Sequence, residues 1–239
     1  TVQSIAQLVS QPGAHWYISP GVPLALPAIA EAQRQGVILT NDINLFSQQA
    51  KAPIIGVTGS NGKTTVTTLV GFLASQQLPS VRVGGNIGAP SLDLLDDAAS
   101  CYVLELSSYQ LELSTQLPLK VAALLNLSPD HLDRYEYKYE NYIASKFRIT
   151  MNQTENDFLI YDADDAAIKE GLKEHPTKAI LVPFSLEREL EYGAFLREDK
   201  IITKLNTEEF SMSISKLTLQ GKHNVKNTMA SALASQLLN

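Results

Sequence analysis

The chain has 239 residues, 44% of them hydrophobic and 18% charged, enough apolar surface for one large domain or two small ones and outside the disordered and fibrous classes. A formal net charge of −6 argues against a nucleic-acid or anionic-membrane surface, although a local set of amides and one lysine can still bind phosphate. Cys101 is the only cysteine, so no internal disulfide forms and a reducing compartment, the cytoplasm, is the expected setting.

No apolar run reaches the ~20 residues of a membrane span, so no membrane insertion is expected. The opening Thr1-Val2-Gln3-Ser4 carries no leader pattern and no starting Met, which points to a processed or excised chain. Residues 15–18 read as a short strand ending in Ser19-Pro20-Gly21. A helix is predicted from about Leu24 to Gln35 with Gly36 closing it, then a strand at Val37-Ile38-Leu39 and a brief helix N-capped by Asp42. This β-α-β-α stretch is too short to close its own core. It reads as the trailing half of an α/β domain, with a first layer of the following domain as the alternative.

The strongest signal is Pro53-Ile54-Ile55-Gly56-Val57-Thr58-Gly59-Ser60-Asn61-Gly62-Lys63-Thr64-Thr65. An apolar strand breaks into a glycine-rich turn, and a helix follows with Val66, Leu69, Val70 and Leu73 predicted on one face. In such a cradle backbone amides converge on phosphate oxygens, Lys63 supplies a point charge and the Thr64 hydroxyl can ligate Mg2+. The strict phosphate-loop pattern needs glycine where Val57 stands; here the glycine comes two residues later.

Further strands are predicted near 81–84, 101–106, 120–126, 157–161 and 179–182, and helices near 63–76, 138–151, 164–173 and 223–238. Alternation of this kind predicts a parallel sheet with ligands beyond its C-terminal strand ends. Between about 190 and 218 shorter alternating pieces read as an antiparallel addition. Gly84-Gly85-Asn86-Ile87-Gly88 is either a ligand-approach loop or a plain turn. Glu105 ends an apolar strand, where it is costly unless paired with a cation or a metal. His131 sits in a strand-end loop as a metal-ligand candidate or a surface residue. Tyr139, Ile143 and Lys146 share a helix face, from which a lysine ordinarily snorkels to water. Asn224 and Asn227 stand one turn apart at the start of the last helix, able to meet a base or phosphate or to cap.

Thr58-Gly59-Ser60-Asn61-Gly62-Lys63-Thr64-Thr65, Gly85-Asn86-Ile87-Gly88, Glu105-Leu106-Ser107-Ser108-Tyr109-Gln110-Leu111-Glu112 and Asn126-Leu127-Ser128-Pro129-Asp130-His131-Leu132-Asp133-Arg134-Tyr135 together resemble the Mur ligase family in order and spacing. The resemblance implies an α/β fold with a mostly parallel, P-loop-type ATPase sheet and a small antiparallel addition (51–239), preceded by the tail of a Rossmann-like UDP-sugar-binding domain (1–50). It implies an ATP-dependent amide ligase of peptidoglycan precursor synthesis working through an acyl phosphate. The Glu-Leu-Ser-Ser-aromatic-Gln-Leu form points to the member joining D-glutamate to UDP-N-acetylmuramoyl-L-alanine. It further implies ATP contacts from Gly59, Ser60, Asn61, Gly62, Lys63, Thr64, Thr65, Asn224 and Asn227, and substrate contacts from Ser19, Asn86, Ser107 and His131. Two Mg2+ would be held, one by Thr64 and Glu105 and one by His131 and a carbamylated Lys146, so that Lys63, His131 and Lys146 serve catalysis. A monomer is expected, and a fragment without turnover of its own, since family members have a longer first domain and a third domain. A folylpolyglutamate-type or other amino-acid-adding ligase, or a non-catalytic nucleotide-binding module, is the rival reading.

Overall fold

The computed structural model describes residues 13–205 and 208–238; the opening residues 1–4, read above for a leader pattern, lie outside them. Nine strands form one sheet in the order β11-β10-β9-β8-β7-β6-β3-β5-β4. Its strands are β3 (Ile54–Thr58), β4 (Val81–Gly85), β5 (Cys101–Glu105), β6 (Val121–Leu124), β7 (Phe158–Asp162), β8 (Ile180–Ser185), β9 (Gly193–Arg197), β10 (Lys200–Leu205) and β11 (Glu208–Ser213). From β4 to β9 all neighbours are parallel, and β10 and β11 add antiparallel strands at one edge. The mixed architecture predicted from the sequence is present.

The central strands are buried on both faces, every residue of β3, β5 and β6 being covered, which is why they read as continuous apolar runs rather than alternating ones. One face packs Ile55, Val57 and Val103 against Val66 and Val70 of α3 (Lys63–Ser75) and Met229 and Leu233 of α7 (Lys222–Gln236). The other packs Leu104, Leu106 and Leu124 against α4 (Ser108–Leu113), α5 (Tyr139–Phe147) and α6 (Ala166–Glu174). On α3 the buried stripe is Val66, Val70 and Ala74 with Thr67 and Gly71, while the predicted Leu69 and Leu73 are half-buried at its margin.

Before the large sheet, β1 (His15–Tyr17) pairs in parallel with β2 (Ile38–Thr40), with α1 (Pro27–Arg34) between them. That helix begins three residues later than predicted because Pro27 sits in its first turn, where a missing N–H costs nothing. In α2 (Asp42–Gln49) the cap is Asn41, not Asp42: the Asn41 side chain accepts from the Asn44 amide, and Asp42 is the first helical residue. Ile43 and Phe46 of α2 enter the core of the large sheet, and Asn44 Nδ2 donates to Leu113 O at 2.8 Å. The helix predicted over 138–151 is α5 followed by a 3-10 turn at Arg148–Thr150. The sequence reading did not predict α4, whose six residues are too few for periodicity to register; its signal is the Ser107–Gln110 capping box.

Candidate functional site

The loop after β3 turns directly into α3. Gly62 is the N-cap with φ +83° and offers no side-chain cap, so the first amides of α3 stay open to an anion. A Cβ at Gly62 would lie 2.5 Å from Asn227 Oδ1, which makes glycine necessary for contact as well as for backbone angle. Asn126, at the end of β6, braces the loop: its carbonyl accepts from Ser60 N at 3.0 Å, its Oδ1 from Asn61 N at 2.8 Å, and its Nδ2 donates to Asn61 O at 2.9 Å. Lys63 folds back over the loop, donating to Gly59 O (2.9 Å) and Ser60 O (3.0 Å). Burial pulls its pKa down against the opposing charges of Glu105 and Asp130. Thr65 follows half-buried in α3.

Glu105 ends β5 beside the loop and is 3% exposed. Its Oε2 accepts from the Thr64 hydroxyl and its Oε1 from Asn86 Nδ2, both at 2.8 Å. Asn86 is placed by Gly85, whose φ is +100° and whose absent Cβ would stand 2.5 Å from Glu105 O. The glycine pair in this turn therefore serves close backbone approach, and the approach delivers an amide to the carboxylate.

On α5, Lys146 is 2% exposed and does not snorkel to water. Its Nζ has one hydrogen bond, a long one of 3.4 Å to Thr58 Oγ1, and lies 5.0 Å from the centre of the Tyr142 ring. Desolvation first, then the Lys63 charge, lowers its pKa to about 7, with Asp130 and Glu105 opposing. Tyr142 Oη meets Ser60 Oγ at 2.8 Å, and Ser60 Oγ also donates to Ser128 O, so α5, the phosphate loop and the loop after β6 are joined. His131 has a half-open side chain whose ring lies tilted by 52° against that of Tyr109, with centroids 5.2 Å apart.

Lys63, Asn86, Ser107, Asp130, His131, Tyr142 and Lys146 line one hollow of about 150 Å³ at the ends of β3, β5 and β6. Ser107 also caps α4, accepting from Gln110 N at 3.2 Å. An adjoining hollow of about 650 Å³ holds Asn61, Gly62, Asn126, Asp162, Asp164, Lys226 and Asn227. Asn224 is half-buried and not among the residues lining it; its Nδ2 donates to Gln220 O at 2.9 Å. The cap of α7 is Gly221, so the capping alternative for Asn224 does not hold. Ser19 lines a separate hollow of about 480 Å³ with Tyr17, Asp42 and Leu92. Another hollow, about 1120 Å³, includes Lys120, Phe158 and Ile180 at the starts of strands β6 to β8, at the opposite end of the sheet from the phosphate loop. Among the described residues no three His, Cys, Asp or Glu side chains converge to hold a metal ion.

Asp130, Asn126 and Tyr142 were not singled out in the sequence. The signal was present for the first two, which sit in the same strand-end motif as His131. For Tyr142 the only signal was its i, i+4 spacing to Lys146.

The Mur ligase middle domain family matches residues 57–235. A UDP-N-acetylmuramoylalanine--D-glutamate ligase from Christiangramia forsetii is 46% identical over 221 residues, covering 92% of this chain and 50% of that protein. A relative of the same name from Pelobacter propionicus is 43% identical over 223 residues, covering 92% and 49%. The chain thus spans about half the length of the curated relatives it matches. Among solved structures, UDP-N-acetylmuramoyl-L-alanyl-D-glutamate--2,6-diaminopimelate ligase aligns with a TM-score of 0.64 at 20% identity, covering 94% of this chain and 59% of that one. MurF ligase from Thermotoga maritima in complex with ADP aligns with a TM-score of 0.58 at 20% identity, covering 87% and 56%. At these identities the structures speak for the fold.

Proposed function

Because this chain belongs to the Mur ligase family, whose middle domain it carries, we propose that it is the ATP-handling half of an enzyme that joins D-glutamate to UDP-N-acetylmuramoyl-L-alanine. On this reading residues 1–50 are the tail of the UDP-sugar-binding domain and 51–239 the ATP-binding domain, acting in the cytoplasm as a monomer. The observation that carries the proposal is the hollow where Lys63, His131 and Lys146 meet beside Glu105.

Condensing a carboxylate with an amine in water is uphill, so the carboxylate must first be activated. The alanyl carboxylate attacks the γ-phosphorus of ATP, ADP departs, and an acyl phosphate forms. The D-glutamate amine then adds to the acyl carbon, phosphate leaves, and a proton is lost from nitrogen. Two anions must approach each other in the first step. The open amides of α3 and the Lys63 ammonium, moved from its loop carbonyls onto phosphate oxygens, offset that repulsion. Asn61 and Asn227 flank the larger hollow, where the nucleoside would rest. Asn86, Ser107 and His131 border the smaller one on the substrate side, and Ser19 its own hollow towards the sugar.

The donor set fits two Mg2+: Thr64 and Glu105 would hold one, His131 and Lys146 the second. When bound, Mg2+ would neutralise phosphate charge. Lys146 suits that place only after modification, because an ammonium cannot ligate a cation. Its lowered pKa leaves a neutral amine near neutrality. That amine can add to the carbon of CO2 and release a proton, turning a poorly satisfied cation into an anionic oxygen ligand for a hard metal.

The test uses the protein carrying this chain together with the flanking regions its relatives have. It should release phosphate from ATP only with UDP-N-acetylmuramoyl-L-alanine, D-glutamate and Mg2+ all present. Turnover with a folate and L-glutamate, or ATP binding without any ligation, would assign it to another ligase or to a non-catalytic module.

A further inference from the structure

The larger hollow is bordered by a charge cluster that phosphate binding does not require. Lys226 Nζ lies 2.6 Å from Asp162 Oδ2 and 3.5 Å from Asp164 Oδ2. Both carboxylates are almost fully buried, at 4% and 5% side-chain exposure. Asp162 ends β7 and its Oδ1 accepts from Asp164 N at 2.9 Å. Asp164 reaches beyond β8, accepting from Ser185 Oγ at 2.5 Å and Leu186 N at 2.7 Å. Lys226 therefore brings its cation to two carboxylates on the far wall of the hollow, which without it would face each other as buried like charges.

The next residue, Asn227, points elsewhere. Its Oδ1 packs on Gly62 so closely that a Cβ there would come within 2.5 Å. Successive residues on a helix project about 100° apart, so Lys226 and Asn227 grip two different bodies, the ends of β7 and β8 and the phosphate loop. Two such grips fix both the roll and the height of the start of α7, whose Gly221 cap supplies no side-chain bond.

We propose that Lys226 is a positioning residue for the nucleotide: its pairing with Asp162 and Asp164 sets the roll of α7 that holds Asn227 against Gly62 at the mouth of the phosphate loop. The inference rests on the nucleotide reading of the site above.

The experiment measures Mg-ADP binding to this chain by calorimetry, alongside thermal midpoints. Lys226→Met is expected to raise the Kd about tenfold, and Lys226→Arg, which keeps the cation, to stay within about threefold of the native chain. Asp162→Asn/Lys226→Met removes the lysine together with one buried carboxylate. It should regain much of the native thermal midpoint yet keep the weakened Kd, because returning the cluster to its native net charge does not restore the grip. Hydrogen exchange over the first two turns of α7 should be faster in both Met variants. Native affinity in Lys226→Met, or full recovery of affinity in the double variant, overturns the inference while leaving the nucleotide reading intact. A native chain that binds no Mg-ADP overturns that reading and this inference with it.

Discussion

Lys146→Met separates what the buried lysine costs the fold from what it contributes to chemistry. Its pKa falls from 10.5 to about 7, and the interval corresponds to about 5 kcal/mol at 1.36 kcal/mol per unit. The unfolded chain binds the proton below about 10.5 and the folded chain only below about 7. Between those values the unfolded state carries more protons, so stability rises with pH across the window, and the full cost of the ammonium is present below it. Methionine has similar length and no charge; the lost ring contact with Tyr142 is worth only about 1 kcal/mol. Urea unfolding followed by circular dichroism in CO2-depleted buffer should show the variant more stable by about 2–5 kcal/mol near pH 6. The gap should shrink to about 1 kcal/mol near pH 9.5, where the native lysine is neutral in the fold and the unfolded chain retains most of its proton. Bicarbonate should then stabilise the native chain and leave the variant unmoved. Equal stabilities at both pH values would refute the reasoning, because they would mean that Lys146 reaches water and carries no desolvation cost.

Gly62→Ala places a Cβ against Asn227 Oδ1 at a left-handed backbone position; about 1–3 kcal/mol of stability should be lost in denaturant unfolding, with Mg-ADP affinity falling alongside. Lys63→Ala should leave the circular dichroism spectrum unchanged and abolish formation of the acyl phosphate, assayed by hydroxylamine trapping in the protein with its flanking regions; retained turnover there would contradict the role given to the lysine. Cys101 is buried and its thiol is pushed up to about 12 by desolvation, so iodoacetamide should label it only after unfolding, and labelling of the native chain at the unfolded rate would place it at the surface instead.

The phosphate loop, the carboxylate ending β5 and the strand-end His131 were legible in the sequence because each is a local pattern: an apolar run, then a residue whose chemistry is out of place on it. The order of strands and helices was legible for the same reason, since burial on both faces writes an unbroken apolar run. The bounds of α1 and the cap of α2 were misread by a few residues, where Pro27 and Asn41 decided between options that composition leaves equal. The small α4 escaped because six residues do not complete two turns. Asn224 and Asn227 looked equivalent in sequence, yet one turns to Gln220 and the other to the phosphate loop.

By itself the sequence determined that a strand, a phosphate cradle and a helix follow one another, and that a parallel sheet would carry them, since those depend on neighbours along the chain. Only the tertiary structure decided that Lys146 is buried rather than solvated, that Asn126 clamps the loop and that Lys226 answers two aspartates. Each of these depends on how far a side chain stands from water and from partners 60 to 90 residues away in sequence. Desolvation and Coulomb energies are properties of distance in space, and no pattern of spacing along the chain encodes them.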